Sequence, residues 1–180
     1  VLDRRLYLPE EWVQDPAFAE LRQECGIPTD VVFKTKPELA LEILRAVRDS
    51  AVLPGRWVAC DEAFGRSTTF LDQVAAMKLW YYAEIPLDTQ VWLEKPATFV
   101  SEWSGQGRKP TQERLVEGTP PPQAVSTVAA ALPDDSWRLE KIKEGSKGPI
   151  ACEFACLRII ESRAHLPAAA LWLIIRRNLK

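Results

Sequence analysis

Gly55-Arg56-Trp57-Val58-Ala59-Cys60-Asp61-Glu62 is the stretch on which the fold turns. Its middle four residues are uninterrupted apolar sequence, the pattern of a short strand covered on both faces, and they place Asp61 at the strand's carboxyl end. Downstream, Ser67 suits the N-cap of a helix whose Phe70, Leu71, Val74, Ala75 and Met77 form an apolar side, and residues 80–85 read as a second strand. Upstream, Thr35 and Glu38 have capping-box spacing, and Leu39, Ile43, Leu44 and Val47 share a face, so the spacing predicts a helix over 36–49. Asp15, Pro16 and Gly26 bracket a shorter helix, as cap, first residue and left-handed exit. Leu2, Leu6 and Leu8 recur with a period of two up to Pro9 and predict a strand there. Strands alternating with helices imply an α/β core.

Beyond residue 95 the texture changes. Gly105, Gly107, Pro110, Gly118 and the prolines at 120–122 break up any long element, so this part reads as an insertion with extended loops. A short helix is expected over 122–132. Residues 137–143, 150–160 and 171–176, rich in Ile, Leu, Trp and Phe, read as strands joined by turns at 145–149 and around Pro167.

A chain of 180 residues can bury a full core. Its 47% apolar and 27% charged residues exclude disorder and fibrous repeats, and no apolar run approaches the roughly 18 residues of a membrane span. The chain opens on Val without a leader pattern, which suggests that the natural start lies elsewhere. Cys25, Cys60, Cys152 and Cys156 form no CxxC pair and read as reduced, buried thiols of a cytoplasmic protein. With His165 as the single histidine, a zinc site is not expected, and His165 itself, in a turn with no nucleophile motif, receives no role. The net charge of −2 conceals an asymmetry, since residues 136–180 carry nine Lys/Arg against four Asp/Glu. The net charge by itself does not suggest a nucleic-acid partner, and the asymmetry places any basic surface late in the chain.

Asp61 is the leading catalytic candidate, because ligands of open α/β sheets gather at the carboxyl ends of strands. Its competing role is that of a turn or cap residue. Lys143 and Lys147, in Lys143-Glu144-Gly145-Ser146-Lys147-Gly148-Pro149, suit phosphate contacts, although P-loop spacing is absent and a hairpin turn with solvated lysines explains them too. Arg108 and Lys109 suit a DNA backbone or a solvated loop. Trp103 and Trp92, at the edges of the insertion, suit base stacking or core packing.

Several stretches together carry a resemblance: Asp3-Arg4-Arg5-Leu6-Tyr7-Leu8-Pro9 with Trp12, Val32-Phe33-Lys34-Thr35-Lys36-Pro37-Glu38, Asp61-Glu62-Ala63-Phe64-Gly65, Thr69-Phe70-Leu71-Asp72, Val91-Trp92-Leu93-Glu94, the segment 142–149, and Trp172-Leu173-Ile174-Ile175-Arg176-Arg177. In order and spacing they resemble the DDE transposases of bacterial insertion sequences, in the branch whose ribonuclease-H-like core is interrupted by a β-rich insertion domain. The resemblance implies a partial ribonuclease-H-like core over residues 1–95, a β-rich insertion over 96–170 and a returning core strand over 171–180. It implies three carboxylates holding two divalent ions, Mg²⁺ or Mn²⁺, in the complete protein. Asp61 matches the second carboxylate. The first Asp is expected before Val1 and the Glu after Lys180, so the isolated chain is expected neither to cut nor to join DNA. The implied partners are double-stranded transposon-end DNA and further copies of the protein, in the bacterial cytoplasm at the nucleoid, with no membrane. Two other readings stand beside this one: a catalytically incomplete remnant that only binds DNA or dimerises, and a phosphohydrolase using Asp61 and Glu62.

Overall fold

The computed structural model describes residues 3–146 and 148–179. The chain divides into two compact units, Val1–Ile85 and Pro86–Lys180, and is a mixed α/β protein with three separate sheets among the described residues.

In the first unit, residues 3–9 form no regular element, and helix α1 (Glu10–Gln14) begins directly after Pro9. The strand expected over 2–8 is therefore absent among the described residues, and Leu2 lies outside them. The alternation of Leu6 and Leu8 finds no neighbouring strand, and Tyr7 lies instead under the Lys36 ammonium, 5.2 Å from its ring centre. The expected helix after Asp15 arrives in two pieces, a 3₁₀ turn (Pro16–Phe18) and α2 (Ala19–Glu24). The Asp15 carboxylate accepts the Ala17 N–H at 2.9 Å and Gly26 closes the run at φ 67°. Helix α3 (Lys36–Asp49) has the full capping box: the Thr35 hydroxyl accepts the Glu38 N–H, and the Glu38 carboxylate accepts from the Thr35 backbone N–H at 2.7 Å. The Thr35 hydroxyl, which also donates to the Glu38 carboxylate at 2.7 Å, and the Thr35 backbone N–H together hold that carboxyl below its ordinary range, the hydroxyl contributing most.

Strands β1 (Trp57–Cys60) and β2 (Trp80–Ala83) pair in parallel, with Cys60 opposite Ala83. Between them run α4 (Glu62–Gly65) and α5 (Thr68–Ala76), the latter capped by Ser67 as expected. Leu41, Phe70, Leu71 and Val74 form the core, and Val58, Cys60, Tyr81 and Ala83 pack on it from one side of the sheet. The expectation of a strand covered on both faces is corrected here. Helices cover one face only, so Trp57 and Trp80 remain 68% and 65% exposed and stack on each other with ring centres 5.9 Å apart.

The second unit is mostly β. Strands β4 (Thr98–Val100) and β5 (Glu113–Leu115) make a small antiparallel pair that holds the loop 101–112. The larger sheet contains β3 (Gln90–Trp92), β6 (Gln123–Ala124), β7 (Arg138–Gly145), β8 (Gly148–Arg163) and β9 (Leu166–Asn178), with α6 (Val125–Ala131) after β6. Strand β8 is the axis: one edge pairs with β7 and then β3, the other with β9 over nearly its whole length. Residues 171–178, set apart above as a returning strand, thus form part of the hairpin with β8. The turn expected around Pro167 lies earlier, at Ala164 and His165, both left-handed at φ 47° and 62°. Pro167 itself sits in β9, the free edge strand, where a missing N–H is tolerated. Val91, Trp92, Val128, Ala155, Ile159 and Leu173 are among the buried residues of this unit. All four thiols are free, but the expectation that they are buried holds fully only for Cys152, since Cys25 and Cys156 are exposed.

Candidate active site

Asp61 follows β1 directly, and parallel pairing brings the residue after β2, Glu84, to the same end of the sheet. The Glu84 N–H donates to the Cys60 carbonyl at 3.1 Å, extending the ladder one step past the strands. Both carboxylates are exposed. Burial pushes the Cys60 thiol up, and the negative charges of Asp61 and Glu84 push it further.

Asp61 also caps α4: its Oδ1 accepts the Ala63 N–H at 3.1 Å and its carbonyl accepts the N–H groups of Phe64 and Gly65 at 3.2 and 2.9 Å. The cap role weighed against catalysis is therefore real. It still leaves Oδ2 free of any described hydrogen bond, so capping and ligation by the same carboxylate are compatible. Glu62 turns away into an ion pair with Arg66 at 2.6 Å, so it does not join Asp61 as a paired carboxylate. Gly65 fixes the position of this turn. A Cβ there would lie 1.9 Å from the Glu84 carbonyl oxygen, and only glycine lets α4 lie flush against the end of β2.

Glu84 escaped the sequence reading because residues 80–85 were read as one strand, which hid the residue inside it. The signal was available: two parallel strands each followed by an acid, Cys60-Asp61 and Ala83-Glu84, put the acids side by side. Carboxylate oxygens are the ligands hard divalent cations prefer. The number present is small, since among the described residues no group of three His, Cys, Asp or Glu side chains converges. Asp61 and Glu84 thus match a divalent ion in kind and supply only part of a shell.

The basic candidates belong to the second unit. Lys143 is exposed on β7, opposite Ile150, close to the tip of the β7–β8 hairpin; Lys147 lies outside the described residues. Arg108 and Lys109 are exposed in the loop 101–112, where the Trp103 indole N–H donates to the Gly107 carbonyl at 3.2 Å and folds the loop on itself. Trp92 has the packing role instead: it is buried, and its indole N–H donates to the Pro120 carbonyl at 3.0 Å.

Two exposed carboxylates thus stand at the carboxyl ends of the parallel strands of the first unit, and residues 136–180 carry nine Lys/Arg against four Asp/Glu. The family model of the DDE superfamily endonucleases matches residues 1–149, and the chain belongs to that family. This is a transposase-type endonuclease family, whose members act on DNA and generally use divalent metal ions. No curated protein and no solved structure matched the chain. No helix among the described residues is long and apolar enough to cross a membrane.

Proposed function

We propose that this chain is the part of an insertion-sequence transposase that contributes Asp61 to a metal-binding carboxylate set on a ribonuclease-H-like core, with the second unit as its β-rich insertion. The single observation that carries this reading is the exposed Asp61 at the carboxyl end of a parallel strand, in a chain of the DDE endonuclease family. When bound, Mg²⁺ or Mn²⁺ would supply charge neutralisation at the scissile phosphate and an activated attacking oxygen. The chain's own residues do the positioning. The α4 cap holds one Asp61 oxygen and directs the carboxylate, and Gly65 lets that turn seat against β2. In the second unit, Lys143 near the hairpin tip and Arg108 and Lys109 in the loop, together with Lys147, which lies outside the described residues, would contact transposon-end phosphates, with Trp103 offering a ring for stacking. The protein would work as an oligomer on double-stranded ends, at the nucleoid, catalysing cleavage and strand transfer.

The test is Asp61→Asn in the full transposase, assayed for excision and joining at the element's ends. Loss of a first ligand should lower both by at least about 100-fold, more than typical losses from second-layer changes. Activity within a few-fold of wild type would remove Asp61 from the metal set. The alternative reading is a remnant that only binds DNA or dimerises. It predicts DNA binding that neither Mg²⁺ nor Asp61→Asn alters.

A further inference from the structure

The sheet of the second unit separates its charges by face. Residues alternate sides along β8 and β9; Ala155, Ile159 and Leu173 define the mainly buried side, while of the other side's β8 residues Cys152 is buried and Phe154 half-buried. The registers Arg138↔Phe154↔Arg176 and Arg158↔Trp172 place three arginines on the opposite, outer side. Lys143, across from Ile150, follows the same alternation. All four cations are exposed, and Trp172 beside them is 63% exposed. Among the described residues none of the three arginines has an ion-pair partner. The acids alternate mostly to the other side. Glu153 there holds Arg177 at 2.7 Å, while Glu140 is the acid of β7 that shares the outer alternation.

The contrast with Arg177 is informative. That guanidinium stacks on Trp137 at 4.0 Å, and its hydrogen bond with Glu153 raises it above its ordinary range, so it is spoken for within the fold. Arg158 lies over the Trp172 ring at 5.0 Å, which orients the guanidinium without neutralising it. Strands lie about 4.8 Å apart and rise about 3.4 Å per residue, so Arg138 and Arg176 stand roughly 10 Å from each other and each roughly 14 Å from Arg158. Those intervals cover about three or four steps of a duplex at 3.4 Å per base pair.

From this charge segregation we infer that the outer face of β7, β8 and β9 is a binding surface for the phosphate backbone of duplex DNA, with Arg138, Arg158 and Arg176 as the principal contacts. It deepens the transposase reading and rests on it for the partner's identity, but it concerns a surface distinct from the Asp61 site and from the loop 101–112. Contact is through phosphates, because the arginines lie across a broad sheet rather than on an element narrow enough to enter a groove.

The experiment is fluorescence anisotropy of a 40-base-pair duplex of arbitrary sequence, titrated with the chain between about 50 and 200 mM salt, a range over which phosphate contacts weaken steeply. The variant R138Q/R158Q/R176Q is compared with wild type and with R48Q/R56Q/K78Q, which removes equal charge from the first unit. The face variant should bind on the order of 100-fold more weakly at 0.1 M salt, with the logarithmic salt slope reduced by about two to three. The control should bind within about threefold of wild type, and so should R138K/R158K/R176K, which keeps the charge and guards against misfolding of the Gln variant. Equal losses in the face variant and the control, or binding by the face variant indistinguishable from wild type, would overturn the assignment. So would a change in sedimentation state without a change in DNA affinity, which would make the face a contact between copies. Asp61→Asn should leave this binding intact, so failure of the face leaves the Asp61 reading standing, and failure of Asp61 leaves the face standing.

Discussion

In the first unit a parallel pair of four-residue strands carries its acids just past its ends, whereas in the second, strands of 16 and 13 residues carry cations along a face. The difference follows from the two ladders. Parallel strands deliver the residues that follow them to one edge, so Cys60-Asp61 and Ala83-Glu84 converge without any long-range design. An antiparallel hairpin instead sorts its residues by side, and a face becomes cationic when alternate residues are basic. A point of chemistry and a broad electrostatic surface are therefore built from different β geometries in one chain.

The largest effect expected from testing this comparison is on the small sheet's support. Phe70 is almost wholly buried, packs against Phe64 with ring centres 5.3 Å apart, and sits in a core of four buried residues. Phe70→Ala should cost about 3–5 kcal/mol, most of the margin of a unit this size. Hydrogen exchange should then show protection lost across residues 57–83 and retained across 148–178. Loss of protection in both stretches together would mean that the two units melt as one and would break the contrast.

Gly65→Ala tests the convergence of the acids more finely. The new methyl would meet the Glu84 carbonyl oxygen, a backbone atom that cannot swing aside, so the α4 turn must move off the end of β2. The expected destabilisation is about 1–3 kcal/mol by overpacking. Because the same turn holds Asp61, Mn²⁺ binding followed by electron paramagnetic resonance should weaken as well. A variant that loses stability with unchanged Mn²⁺ binding would make Gly65 a packing residue alone.

Much of the first unit was legible from local chemistry. The Thr35–Glu38 capping box, the Ser67 cap and the apolar run at 57–60 each fix an element through neighbours in sequence. What escaped depends on partners far along the chain. The alternation at 2–8 looks like a strand, yet no neighbouring strand pairs with the described residues there. The run at 57–60 is apolar enough for burial on both faces, but helices occupy only one, and the sequence of a single strand cannot specify what covers its far side. Asp61 was legible because it follows its strand; Glu84 is hidden inside the stretch 80–85 that reads as one strand, and its significance comes from register with β1. Lys143 was singled out from its neighbours in sequence, whereas Arg138, Arg158 and Arg176 lie scattered along the chain and meet only through the hairpin registers.

The turn that sets those registers offers the smallest and sharpest test. Ala164 and His165 join β8 to β9 as a two-residue loop, with Arg163 opposite Leu166, and both are left-handed, as a primed turn that matches strand twist requires. Neither residue suits that conformation. A side chain at positive φ costs roughly 1–2 kcal/mol, and glycine relieves this at an entropic penalty of about 0.5–1 kcal/mol in the unfolded chain. Ala164→Gly should therefore stabilise the second unit by about 0.5–1 kcal/mol in urea denaturation, with His165→Gly acting in the same direction. Because neither change touches the outer face, DNA affinity should stay within about twofold, the register of β8 with β9 being already fixed by the buried alternation of Ala155, Ile159 and Leu173. A stabilised variant with altered DNA affinity would instead mean that the strained turn, rather than the buried side, holds the cationic rows in line.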